Sequence, residues 1–153
     1  MRALLLLAGL SLVVSAQPKK TVFMITDAEG IAGVCRQEQT EPTLGEMRQL
    51  QVGEVNAAVD GFFAGGADEV IVWDGHDGSR SISVLDIDPR AKLITGGLGP
   101  SMLLERKFAA IAFIGQHAMA NVRGAIMGHS YSSLGIQNMR MNGKAVGELE
   151  TRI

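Results

Sequence analysis

The chain has few of the features that would hold a small protein together covalently or attach it to a nucleic acid. Cys35 is the single cysteine among 153 residues, so an internal disulfide is excluded. We favour its interpretation as a small buried apolar residue over a metal ligand or a reactive thiol. Acidic and basic residues nearly balance, 16 against 14, and the net charge of −2 argues against nucleic acid as a partner.

Long hydrophobic runs are also missing, except at the start of the chain. Residues 3–14 are largely apolar but too few for a comfortable membrane span. They follow Arg2 and precede small residues that end at Ala16, a pattern typical of a secretory signal. We therefore expect residues 1–16 to be a signal peptide and the mature protein to be periplasmic or secreted, with no membrane attachment after cleavage. Loss of Arg2 would turn the net charge of −2 into −3. An uncleaved N-terminal anchor is the alternative.

The rest of the composition is typical of one globular domain. Hydrophobic residues make up 46% and charged residues 20% of the chain, which are ordinary fractions for a folded protein with a core. No repeat, low-complexity stretch or linker interrupts residues 21–153, so a single domain is expected there.

The first half of that domain predicts a strand, a helix and a second strand. Thr21–Thr26 is apolar and β-branched, and Val70–Trp73 has the same character. Between them, apolar residues recur at helical spacing, preceded by Thr43 and Glu46 at capping-box spacing and followed by glycines at 65–66. A strand, helix and strand in this order favour parallel pairing with a right-handed crossover.

Three further strands are predicted, at residues 91–95, 109–114 and 124–127. The second of these, Ala109–Ile114, is apolar throughout, as in a strand buried on both faces. A short helix is predicted at 100–106, a hairpin around Asn142-Gly143, and another helix near the last residue. The fold class is therefore α/β, with a mostly parallel sheet flanked by helices and a β-hairpin near the C-terminus.

Ionisable residues follow four of the predicted strands, and they include all three histidines of the chain: Asp27, Glu29, Asp74, His76, His117 and His129. Parallel strands place their carboxyl ends at one edge of a sheet, where α/β proteins bind ligands. We therefore expect these side chains to converge there.

A metal would explain why acids and imidazoles gather at this edge. Unpaired carboxylates repel each other, and a divalent cation removes that repulsion. Carboxylate oxygen and imidazole nitrogen suit zinc, and also manganese, iron or cobalt. Structural roles without a metal remain open: Asp27 and Glu29 could be turn residues, and the histidines could be loop residues. Asp74 is either a turn residue or a group that orients His76.

Five segments also resemble, in order and spacing, the motifs of the D-aminopeptidases of peptidase family M55. They are TDAEGIAG, WDGHDGSR, IGQHA, MGHSYSS and NGKAVGELE, and they span Thr21 to about Glu150. The resemblance implies a zinc-dependent aminopeptidase that removes the N-terminal residue from short peptides containing D-amino acids. It also implies homo-oligomeric rings.

The resemblance assigns roles to six positions. It implies that Asp27 bridges two zinc ions, that Glu29 and His76 complete the first site, and that His117 and Glu148 complete the second. His129 is implied to be the catalytic nucleophile or base. Glu148 follows the predicted hairpin, so it is identified by the resemblance alone.

The chain departs from that family in its length. Family members are considerably longer, so residues 21–153 are expected to be the N-terminal part of a truncated M55 domain. A non-catalytic metal-binding fragment is therefore the alternative function. A dinucleotide-binding domain is disfavoured, because the segment AEGIAGVC lacks the GxGxxG pattern that would open the first helix.

Overall fold

A computed structural model describes residues 17–98 and 106–152 of the chain. The predicted signal peptide and all but the last residue of the helix predicted at 100–106 lie outside these ranges. Within them, no helix combines the length and the apolar character that crossing a membrane requires.

Four strands form one parallel sheet in the order β3-β2-β1-β4. Their bounds are Thr21–Thr26 for β1, Glu69–Asp74 for β2, Lys92–Ile94 for β3 and Ala110–Ile114 for β4. Thr26 pairs with both Asp74 and Ile114, so the last residues of β1, β2 and β4 are in register. The loops that leave these strands therefore start side by side, and the predicted parallel α/β fold is confirmed.

Helix α1, Gly45–Ala64, connects β1 to β2 and covers one face of the sheet. Its buried valines, Val52, Val55 and Val59, pack in one cluster with β1 and β2. The predicted capping box is wrong, because Leu44 is the N-cap residue and its side chain makes no capping hydrogen bond. Thr43 instead donates to Glu41 at 3.4 Å.

The predicted burial of the fourth strand on both faces is wrong. β4 lies at the edge of the sheet, and Ala110 and Ile111 at its start are exposed. The predicted fifth strand at 124–127 is wrong too, because the described chain makes turns there. Gly124 and Met127 have φ values of 76° and 52°, which are incompatible with extended backbone.

The predicted hairpin is confirmed, with β5 at Arg140–Met141 and β6 at Lys144–Ala145. Asn142 and Gly143 both have positive φ, 52° and 80°, as a type I′ turn requires. Helix α2, Leu149–Arg152, begins just after the hairpin, so Glu148 lies immediately before its first residue.

Cys35 is exposed, so its interpretation as a buried apolar residue is wrong. It lies in a polar loop that turns at Gly33, where φ is +94°. Its backbone N–H donates to the side chain of Gln39, which holds this loop together. The preceding residue, Val34, packs in an apolar cluster with Ile31 and Met47, whereas Cys35 faces solvent.

Candidate metal centre

The loops after β1 and β4 lie in backbone contact, and this contact positions the first carboxylates. Asp27 N–H donates to the carbonyl of Ile114 at 2.8 Å, and Gly30 N–H donates to that of Gly115 at 2.7 Å. A Cβ at Gly30 would lie 2.4 Å from the carbonyl oxygen of Gln116, so only glycine allows this approach. Asp27 and Glu29 are thereby buried directly beside the loop that carries His117.

His76 brings the loop after β2 to the same point. Its Nδ1 lies 3.2 Å from Asp27 Oδ1 and 3.3 Å from Glu29 Oε2. Its Nε2 lies 2.7 Å from the backbone carbonyl of Thr40. A carbonyl only accepts, so Nε2 carries a hydrogen and Nδ1 is the nitrogen that faces the two carboxylates.

His117 repeats this pattern on the other side of Asp27. Its Nδ1 donates to the carbonyl of Ala118 at 2.9 Å. Its Nε2 lies 3.5 Å from Asp27 Oδ2 and 3.3 Å from Glu148 Oε1. The two oxygens of Asp27 therefore face two different histidines.

His129 has the third such arrangement, although the strand predicted before it does not form. Its Nδ1 donates to the carbonyl of Met127 at 2.8 Å, and its Nε2 lies 3.9 Å from Glu29 Oε1. The ring stacks on that of His117, with centroids 3.7 Å apart and planes 16° from parallel. The turn at Gly124 to Met127, where both residues have positive φ, brings His129 into the cluster in place of a strand.

Glu148 reaches the cluster from the C-terminal hairpin. Its carboxylate accepts the backbone N–H of Tyr131 at 2.6 Å and is almost fully buried. Asp74, by contrast, holds its own loop: its carboxylate accepts hydrogen bonds from Ser81 and from the N–H of Ile82. These contacts support the interpretation of Asp74 as a turn residue.

The ionisable groups of the cluster shift one another's pKa values. Burial raises the pKa of Asp27. Burial also acts to raise the pKa of Glu29, but contact with His76 outweighs it and holds that pKa well below its usual range. Burial lowers the pKa of His76 and of His117, yet the facing carboxylates outweigh it and raise these pKa values to about 10 and about 9. The carboxylates therefore favour a cation, whether a proton or a metal, at each histidine.

The donor set fits zinc. Ligand atoms form two groups, and within each group all of them lie within 4.8 Å of one another. One group comes from His117, His129 and Glu148, and the other from Asp27, Glu29 and His117. Glu29 Oε2 is buried and accepts no hydrogen bond from the described residues. Nitrogen and carboxylate ligands in this number are those that zinc uses at catalytic sites. The groups share His117, and His76 adjoins the second of them through Asp27 and Glu29.

A cavity of about 520 Å³ opens over the cluster. This volume lies within the range of small-molecule sites. The six predicted site residues line its floor. Its walls come from three loops, with Gln37, Glu38, Thr40, Glu41 and Pro42 in the first, Gly75 and Asp77 in the second, and Tyr131, Ser132, Ser133 and Leu134 in the third.

The comparisons with known proteins agree with this geometry. A family model described as D-aminopeptidase, peptidase M55, matches residues 21–152. The chain belongs to the M55 family. It is 31% identical over 136 residues to the D-aminopeptidase of Bacillus subtilis (strain 168), covering 84% of this chain and 48% of that protein.

A solved structure is also similar, that of the Zn-dependent D-aminopeptidase DppA from Bacillus subtilis, described as a self-compartmentalizing protease. The match has a TM-score of 0.78 and 28% identity, and covers 86% of this chain and 50% of that one. This M55 chain therefore spans about half the length of the relatives it matches.

Sequence reasoning missed two groups that shape this M55 site. Gln116 donates to Asp27 Oδ2 at 2.8 Å, and its place between Gly115 and His117 in the segment IGQHA was the available signal. The carbonyl of Thr40 orients His76. No sequence signal identifies it, because every residue type carries a backbone carbonyl.

Proposed function

We propose that this M55 chain forms the di-metal active site of an aminopeptidase that removes the N-terminal residue from short peptides containing D-amino acids. Two relatives support the reaction and the metal, since both are named D-aminopeptidases and one is described as Zn-dependent. The preference for D-amino acids is carried over from those relatives.

One observation carries the proposal. Each of the three histidines donates one ring N–H to a backbone carbonyl and directs its other nitrogen at a carboxylate. Such carbonyl contacts fix the ring and its tautomer in metal sites. Nitrogen lone pairs aimed at carboxylates are repulsive unless a cation lies between them.

The contacts suggest how two zinc ions would be shared. Asp27 has Oδ1 on the side of His76 and Oδ2 on the side of His117, which suits a bridging carboxylate. Glu29 faces His76, and Glu148 faces His117. We assign these five residues as ligands, with manganese, cobalt or iron as substitutes for zinc.

His129 is assigned as the catalytic base. It lines the cavity, and its side chain is more exposed than that of His117, 17% against 2%. With Nδ1 held by Met127, Nε2 is the atom that takes a proton from water and returns it to the leaving amine. Bound zinc would polarise the peptide carbonyl and lower the pKa of water.

The cavity supports a short, cationic substrate. Its volume of about 520 Å³ limits the peptide to a few residues. The walls add Glu38, Glu41 and Asp77 to the carboxylates on the floor, and the described lining contains no lysine or arginine. The free amino group of a peptide is therefore attracted to the cavity, and an acidic side chain on the peptide is repelled.

Metal analysis and peptide hydrolysis together test the proposal. The purified chain should bind about two zinc ions and release D-alanine from a D-alanyl dipeptide, with loss of activity in chelator and recovery on adding zinc. His129→Ala should keep both ions and lose at least about 100-fold in kcat. Failure to bind zinc, or full activity in His129→Ala, would contradict it.

A metal-binding domain without peptidase activity is the second candidate. It is favoured by the contacts of the ligand side chains, which would hold a metal whether or not a peptide is cleaved. Tight binding of two zinc ions with no cleavage of D- or L-alanyl peptides would select this candidate.

Export and ring assembly are further proposals. If residues 1–16 are a signal peptide, N-terminal sequencing of the exported protein should begin at Gln17. An unprocessed N-terminus would support an anchor instead. The description of the similar protein as self-compartmentalizing suggests a closed homo-oligomer, which sedimentation of the purified chain would reveal.

A further inference from the structure

Gln116 lies behind the proposed metal centre, outside the cavity. It is half-buried, and it is absent from the described residues that line the cavity wall. Its side-chain amide donates to Asp27 Oδ2 at 2.8 Å. The side chain of Gln116 therefore contacts the cluster through the carboxylate of Asp27.

The two oxygens of Asp27 are held by different donors. Oδ1 accepts the backbone N–H of Ala28 at 3.0 Å and faces His76. Oδ2 faces His117, and Gln116 is its hydrogen-bond donor among the described residues. The first oxygen is fixed by the main chain of its own turn, whereas the second depends on a side chain from another loop.

The position of Gln116 is itself fixed by the backbone. Its carbonyl packs so closely on Gly30 that a Cβ there would lie 2.4 Å away. The preceding residue, Gly115, has a φ of +72°, and a Cβ on it would lie 2.2 Å from the carbonyl oxygen of Asp27. The amide of Gln116 is thus presented to Asp27 by two interlocked turns, which is the support that a precise site needs.

We propose that Gln116 is the positioning residue that makes Asp27 a bridge between two cations. The inference rests on the proposed two-metal function. Without the amide donor, the carboxylate keeps the Ala28 hydrogen bond at Oδ1 alone, so it can pivot about that contact and displace Oδ2 from its position opposite His117. The cation on the side of His117 and Glu148 should then bind 10- to 100-fold more weakly, as is typical when a supporting hydrogen bond is removed. The cation on the side of His76 and Glu29 should be unaffected.

Two variants of the full chain separate positioning from packing. Gln116→Met keeps the length of the side chain and removes the donor. Gln116→Glu keeps the shape and replaces the donor by a second carboxylate. Zinc titration by calorimetry should show two steps in the unaltered chain and selective loss of affinity in one step for both variants. If Gln116 only fills space, Gln116→Met will titrate like the unaltered chain, and the inference is overturned.

Gln51→Met is the matched control. Gln51 is fully buried, and its amide lies 3.4 Å from the backbone carbonyl of Asp27 rather than from its carboxylate. Both zinc steps should be retained in this variant. An equal loss in Gln51→Met would show that any disturbance near Asp27 weakens zinc, and would also overturn the inference.

The experiment distinguishes this inference from the proposed function. If the unaltered chain binds fewer than two zinc ions, the two-metal function itself fails. If the unaltered chain binds two and both Gln116 variants bind them equally well, only the role of Gln116 fails. Thermal unfolding of each metal-free variant shows whether it is folded, and Gln116→Glu decides the matter if Gln116→Met does not fold. Cobalt substitution adds a spectroscopic reading. The visible band of the cobalt on the side of His117 and Glu148 should change in the two Gln116 variants and not in Gln51→Met.

Discussion

At the scale of single residues, the centre depends on glycines as much as on ligands. Asp27, Glu29 and His117 are close because two turns touch main chain to main chain at Gly30 and Gly115. Side chains at either glycine would force these turns apart. The carboxylates and imidazoles are therefore positioned by the residues that have no side chain at all.

Replacing Gly115 by alanine tests this dependence. The new Cβ would sit at a φ of +72° and only 2.2 Å from a backbone oxygen, so we expect a loss of more than about 3 kcal/mol in the free energy of unfolding. Gly97→Ala is the control, because nothing lies within 4 Å of a Cβ there. It should stay within about 0.5 kcal/mol of the unaltered chain in urea unfolding. Equal stability of the two variants would show that the turns do not interlock as described.

At the scale of elements, the sheet and one helix supply the rigid base of the site. All six residues of β1 are buried, and the buried valines of α1 pack on the same face as Val22 and Val70. β1 ends at Thr26, so Asp27 is attached directly to a buried strand that fixes the position of its backbone. The hairpin and α2 are short, and their part in the site is to bring in Glu148.

The packing of α1 can be measured with one matched pair of substitutions. Val55 is fully buried, so Val55→Ala should lower the free energy of unfolding by about 2 kcal/mol through lost burial and a residual cavity. Val84 is 73% exposed, so Val84→Ala should change it by less than about 0.5 kcal/mol. Similar losses in the two variants would contradict the packing of α1 on the sheet.

At the scale of the whole molecule, the loops after β1, β2 and β4 meet because the sheet is parallel and in register, and the turn before His129 and the segment after the hairpin join them. That convergence concentrates three carboxylates and three imidazoles in one buried volume. The charge of these carboxylates is then balanced by whatever cation the histidines hold, and protons and metal ions compete for the same ring nitrogens.

The pH dependence of stability should reveal this competition. His76 and His117 have folded-state pKa values raised from 6.5 to about 10 and about 9. A raised histidine pKa adds stability in full below pH 6.5, and this stability is lost as the pH rises through the folded-state value. The metal-free chain should therefore become less stable between about pH 6.5 and pH 10. Thermal unfolding at several pH values measures it.

Saturating zinc should remove that alkaline loss. Zinc binds the deprotonated rings, so its stabilisation should grow over the range in which the protons leave. Magnesium at the same concentration is the control, because it binds imidazole nitrogen poorly and should not replace the protons that the histidines lose. A metal-free chain with flat stability across this range would show that the histidines are not paired with the carboxylates.

The sequence by itself determined where the four strands of the parallel sheet lie and which ionisable residues follow them. Apolar runs followed by Asp27, His76 and His117 predicted parallel strands with ligands at their ends, because apolar runs and periodicity are local properties of the sequence. The family motifs added Glu148 and the catalytic role of His129. The same local reasoning failed at 124–127, where positive φ at Gly124 and Met127 makes turns, and at β4, whose edge position depends on which strands pair.

Only the tertiary structure decided how these groups face one another. The register of β1 with β2 and β4 sets the distances from Asp27 to both histidines. The carbonyl of Thr40 and the amide of Gln116 orient His76 and Asp27 from loops far away in sequence. Such contacts arise from the packing of one loop on another, so neither periodicity nor composition encodes the distances they set.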